Sequence, residues 1–284
     1  MRLSPKKLAV AGAISVAAAY LLISYLAPSI ASLGVPKTGS YAPEARAALL
    51  DRTRQSCQVA HVSNFIEEQR QLVDSHPQNP AQKRVLAYAL LERVTMRGLW
   101  KGMKPGALLY TDPPEDIVRD VEEALELVRA ARTMGDETSE NYRLESSLLP
   151  FKATNWGAAL LLLRTMTNAL KKAMELDPSN PKAQLVIGGR KLYSPSYLGQ
   201  DLEKAIEHLE FAGKALPLDE RPLIFASHAY YLLGRRDKAI ELLEKAIART
   251  PSNYYATTAR ERIRAGEDKP FERDMPRPTK EQGR

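Results

Sequence analysis

A chain of 284 residues with 44% apolar side chains can bury a core in one or two domains. Its formal charge of +7 would suit an anionic partner, but acidic and basic residues are interleaved, as in Glu67-Glu68-Gln69-Arg70 and Asp201-Leu202-Glu203-Lys204. That pattern belongs to solvated helix faces, and with no basic block carrying interleaved aromatics it excludes nucleic acid as a partner. A single cysteine, Cys57, excludes an internal disulfide and a cysteine-rich metal site.

The chain opens with Arg2, Lys6 and Lys7 in residues 1–7, followed by an uncharged stretch over 8–35 whose most apolar part is Leu8–Leu26. A basic start before an apolar run of this length predicts an N-terminal transmembrane or signal helix. The length favours an uncleaved signal anchor, while Ser29-Ile30-Ala31 leaves cleavage open. By the positive-inside rule the expectation is a single-pass inner-membrane protein with its repeat domain in the periplasm, or a secreted or periplasmic domain after cleavage. Residues 36–43 read as a linker.

From there the composition turns to Ala, Leu, Glu, Arg and Lys, residues that lose little side-chain freedom in a helix, so the fold class is all-α. A helical hairpin is predicted over Pro43–Ser75 and a helix over Ala81–Arg97. Cys57 and His61, four apart in that hairpin, would share a helix face, but two ligands do not make a zinc site. A long apolar connection, Gly98–Pro114, contains Trp100, Met103 and Tyr110 and could fold over the helices as a lid or dock on a partner. Further helices are expected over Glu115–Thr133, Ser139–Leu149, Asn155–Leu176, Pro181–Leu192, Asp201–Ala215, Glu220–Leu233, Arg236–Arg249 and Tyr254–Ala265. Trp156 is assigned to the core. The tail, residues 267–284, has too few apolar residues to offset the entropy of ordering and is expected to be disordered.

The helices repeat. Pro217 and Pro251 lie 34 residues apart, and Ala205, Leu209 and Ala212 recur at the same interval as Ala239, Leu243 and Ala246. Ala124, Val128 and Ala131 repeat the spacing further upstream. Steps of four and three place each triad on one helix face, where small residues let two helices approach. Gly234 supplies the turn between the last two helices. These positions, with Ile187, Gly188, Tyr230 and the two prolines, resemble the tetratricopeptide-repeat family. The resemblance implies a solenoid of helical hairpins over 44–266, best defined at 181–217 and 220–251.

Between Pro178 and Pro217 the interval is 39 residues, so extra residues lie in Leu192–Asp201. That turn looks like one in the T-component proteins of TRAP-type solute transporters, which implies capture of a small hydrophobic carboxylated ligand. Gln200 stands where those proteins carry a second glycine, and their lipoprotein cysteine is missing.

In a solenoid of helix pairs the first helix of each pair lines the concave surface. Arg221, Ile224, His228 and Tyr231 are therefore the expected partner-binding residues of the last repeat. No Gly-rich phosphate loop, His-Glu-x-x-His motif or Gly-x-Ser-x-Gly elbow occurs, so neither catalysis, a metal nor a cofactor is expected. The sequence points to a scaffold for protein partners in the bacterial envelope, with a small-ligand accessory protein as the alternative.

Overall fold

The computed structural model describes residues 41–100, 110, 112–196 and 199–272. Eleven α-helices are found among them: α1 (Pro43–Arg54), α2 (Val59–Ser75), α3 (Pro80–Trp100), α4 (Glu115–Thr133), α5 (Ser139–Leu148), α6 (Trp156–Leu176), α7 (Pro181–Tyr193), α8 (Leu202–Ala215), α9 (Arg221–Leu232), α10 (Arg236–Arg249) and α11 (Tyr254–Arg264). A short 3-10 helix, Leu149–Lys152, joins α5 towards α6. The fold is an all-α solenoid of helical hairpins.

Local chemistry sets the boundaries. Asn155, Asn180, Asp201 and Asn253 each accept a hydrogen bond from a backbone N–H in the first turn of the helix they precede, satisfying donors that have no partner within the helix. Pro181 sits at the start of α7, where a missing N–H costs nothing. Gly234, with φ at +75°, reverses the chain between α9 and α10, a conformation that a β-carbon would strain.

Odd-numbered helices form one layer, with α1 on α3, α3 on α5, α5 on α7 and α7 on α9, and each even-numbered helix packs on its hairpin partner outside it. Ala124, Val128, Ala131, Ala205, Leu209, Ala212, Ala239, Leu243 and Ala246 are all fully buried. They bring α4, α8 and α10 onto their neighbours. At Gly188 the fit between α7 and α8 is closest: a β-carbon there would stand 2.6 Å from Leu209 Cγ.

Four expectations change. Among the described residues no helix is long and apolar enough to cross a membrane. The two longest, α3 and α6, carry charges along their length, Lys83, Arg84, Glu92, Arg93 and Arg97 in one and Arg164, Lys171 and Lys172 in the other. The expected transmembrane or signal helix over 8–35, the single-pass inner-membrane placement with a periplasmic domain, its secreted alternative and the membrane as a partner are corrected accordingly. Residues 8–35 themselves lie outside the described residues.

Cys57 does not share a helix face with His61, because it lies in the turn before α2 with φ at +54°. Trp156 is exposed rather than in the core, since α6 projects its first turns past the end of α5. Order also extends past the expected boundary at Gly266, for Pro270 and Phe271 are buried. Residues 273–284 lie outside the described residues, as do Met103 and the rest of 101–109.

Candidate functional site

The layer of odd-numbered helices presents a wall with two regions of different chemistry. Around the starts of α7 and α9 the wall is sealed by ion pairs to α1 and α3. Arg54 at the end of α1 donates from Nη1 and Nη2 to the two carboxylate oxygens of Glu220, at 3.1 and 3.0 Å, and from Nη2 to Leu218 O. Arg221, opening α9, donates to Asp219 and to Glu92 of α3. Tyr88 of α3 donates to Asp51 of α1 at 2.5 Å, and the Lys182 ammonium of α7 pairs with Asp51 while lying 3.8 Å from the centre of the Tyr88 ring.

Charges inside this network hold one another ionised. Burial opposes ionisation of Asp219, but Arg221 and Arg54 outweigh it and hold the carboxyl far below the usual carboxylate range. Burial and the adjacent carboxylates Glu92 and Asp51 push the Tyr88 phenol up. The consequence is structural: α1, α3, α7 and α9 are tied together where an open groove would otherwise lie.

Further along α7 and α9, and on α11, the wall is aromatic. Tyr193 of α7 packs edge-on against Phe225 of α9, ring centres 5.5 Å apart, and stands at the same distance from His228. His228 stacks on Phe271 at 4.3 Å, and Tyr231 of α9 and Tyr255 of α11 flank that phenylalanine. Burial alone depresses the His228 imidazole to about 4, so it is neutral at physiological pH.

Among the described residues no group of three or more His, Cys, Asp or Glu could hold a metal. Burial pushes the Cys57 thiol up, against a hydrogen bond with Ser252, which keeps it a poor nucleophile. A small cleft of ≈ 100 Å³ lies between α4 and the 3-10 segment, lined by residues including Val118, Val121 and Phe151. It is smaller than the roughly 300 Å³ or more of a small-molecule site.

The tetratricopeptide-repeat family model matches residues 221–253, which span α9 and α10. A search of curated protein sequences finds no match. The solved structure of TTC0263, a thermophilic tetratricopeptide protein of Thermus thermophilus, is similar with a TM-score of 0.52 at 18% identity, covering 79% of this chain and 100% of that one. The chain has a tetratricopeptide-repeat fold. YrrB, a tetratricopeptide protein described as having an unusual peptide-binding site, aligns with a TM-score of 0.39 at 17% identity over 78% of this chain and all of its own. The MamA protein aligns with a TM-score of 0.33 at 17% identity over 73% of this chain and 91% of its own.

In the last tetratricopeptide repeat the four expected inner-face residues take different places. His228 and Tyr231 stand in the aromatic wall, Ile224 is buried beneath it, and Arg221 is engaged with Asp219 and Glu92. Tyr110, in the predicted lid, donates its backbone N–H to Ala153 O and packs edge-on against Phe151. Sequence reading missed Tyr193, Phe225 and Tyr255. Their signal was an aromatic on each of α7, α9 and α11.

Proposed function

We propose that this protein is a non-catalytic tetratricopeptide scaffold that holds a segment of another protein against the inner face of its C-terminal repeats. The observation that carries the reading is the aromatic wall of Tyr193, Phe225, His228, Tyr231 and Tyr255, gathered from three successive odd-numbered helices. Aromatic side chains give large contact area at small entropic cost and are enriched where proteins meet. The starts of α7 and α9 are closed by ion pairs to α1 and α3, which leaves the aromatic stretch as the surface for capture.

A photo-crosslinking amino acid placed at Tyr231, with a control at the exposed Glu244 of α10, tests this in cells. The expected outcome is one reproducible protein adduct at position 231 that is absent at 244 and lost when Tyr255→Asp is added. Equal adducts at the two positions, or none at 231 in either the native chain or one carrying Phe271→Ala, would remove the reading.

A further inference from the structure

Past α11 the chain turns at Gly266 and returns over the wall it has just built. Lys269 O accepts from Glu272 N at 3.0 Å, closing a β-turn with Pro270 at its second position, the place where a fixed φ pre-sets the turn. Phe271 projects from the third position and is only 6% exposed, stacked on His228 with the ring planes 14° apart. Pro270 is buried beside it, while the side chains of Glu267, Asp268, Lys269 and Glu272 remain in solvent.

The main chain of this segment is held by side chains. Tyr231 Oη donates to Glu267 O and Asp268 O, at 3.0 and 3.2 Å. Tyr255 Oη donates to Phe271 O at 3.2 Å, and Arg262 Nη1 donates to Glu272 O. Hydroxyl and guanidinium donors aimed at carbonyls, around a pocket filled by one aromatic ring, read a backbone shape and a single anchor. They ask little of the flanking side chains. A helix end sealed only by packing would need the ring and none of these carbonyl contacts.

We propose that the inner face of α9 and α11 is a recognition site for a proline–aromatic turn, and that residues 269–272 occupy it in cis as a built-in competitor. This rests on the inner face being the partner-capturing surface, and it names what the partner presents: a Pro-Phe or Pro-Tyr turn on a flexible segment. Tethering keeps the internal turn at an effective concentration of roughly millimolar order, so a partner must exceed that or meet a chain whose turn has been pulled away.

The test uses the full chain and a labelled, end-blocked peptide with the sequence of residues 267–273, titrated against native protein and Phe271→Ala. The expected result is saturable binding to Phe271→Ala at least tenfold tighter than to the native chain. The same peptide with its phenylalanine replaced by alanine should bind neither, and Tyr231→Phe or Tyr255→Phe added to Phe271→Ala should weaken binding severalfold. If Phe271→Ala loses cooperative unfolding, Phe271→Leu, which keeps apolar volume, undergoes the same titration.

Equal affinity for native and variant chains, or no binding to a cooperatively folded variant, overturns the proposal and leaves Phe271 as an end cap. Concentration-dependent self-association of the native chain that Phe271→Ala abolishes would place the turn in a second copy's pocket and overturn the cis arrangement. A crosslinked partner at position 231 whose yield does not change in Phe271→Ala would reject the competitor while leaving the scaffold reading intact.

Discussion

Arg54 of α1 grips Glu220, 166 positions later in the chain, through a two-pronged ion pair in which both side chains are almost fully buried. Removing one partner of such a pair strands a charge away from water, at a cost of about 3–5 kcal/mol. Arg54→Met is therefore expected to lower the unfolding free energy by that amount in urea titration. The double variant Arg54→Met, Glu220→Leu should recover part of it. Arg221→Glu, which sets a carboxylate against Asp219 and Glu92, should destabilise at least as strongly, so a lost interaction in that variant would report unfolding and not a contact with the partner.

Gly188 supports a second prediction. A methyl group at this position would meet Leu209 Cγ at 2.6 Å and Cδ2 at 2.8 Å, with Ala205 O at 3.2 Å. Overpacking of this kind costs typically 1–3 kcal/mol, more than the gain in helix propensity of about 1 kcal/mol from replacing glycine. Gly188→Ala should lower the melting temperature, and Leu209→Ala in the same chain should relieve part of that loss beyond the sum of the single changes. Strict additivity in the double-mutant cycle would show that the two side chains do not collide.

Much of the helical layout was legible because proline, Asn/Asp caps and alanine triads act locally. Asn180 and Asn253 mark helix starts from their own side chains, and Ala239, Leu243 and Ala246 share a face whatever lies opposite. What was not legible depends on residues far apart in sequence. Nothing near Arg221 foretells that Glu92 will stand beside it, 129 positions away. A polar tail gives no local sign that Phe271 will find His228 and Tyr255, since the pocket exists only once α9 and α11 are side by side. Trp156 was misplaced for a related reason, because the apolar pattern of α6 fixes which residues share a face but not whether a neighbour covers it.

That uncovered face yields a third prediction. Trp156, Leu160 and Leu161 are each more than half exposed on the first turns of α6. Surface changes away from caps and ion pairs usually stay within about 0.5 kcal/mol. Leu160→Ser and Leu161→Ser should thus leave the urea midpoint nearly unchanged, whereas Leu170→Ser on the buried side of the same helix should cost several times more. A large loss from Leu160→Ser would mean that the face is covered in solution.

Acid sensitivity should appear in two steps with different causes. Burial lowers the His228 imidazole from 6.5 to about 4, so the unfolded chain binds a proton that the folded chain refuses over that interval. Stability is therefore full above about pH 6.5 and declines as pH falls towards 4, by an amount on the order of 3 kcal/mol. The aromatic rings of Tyr193 and Phe271 are packed against the imidazole. Asp219 works lower. Burial opposes its charge, but Arg221 and Arg54 depress its carboxyl below the ordinary 3.8, so the stability it brings is present above that value and is lost as pH drops beneath it. Urea unfolding across pH 2 to 8 should show the upper limb in full and the onset of the lower one in the native chain. His228→Phe, which keeps the stack on Phe271 and removes the titrating nitrogen, should flatten the upper limb and leave the lower one. An unchanged slope between pH 6.5 and 4 in that variant would mean that the imidazole is not the group refusing the proton.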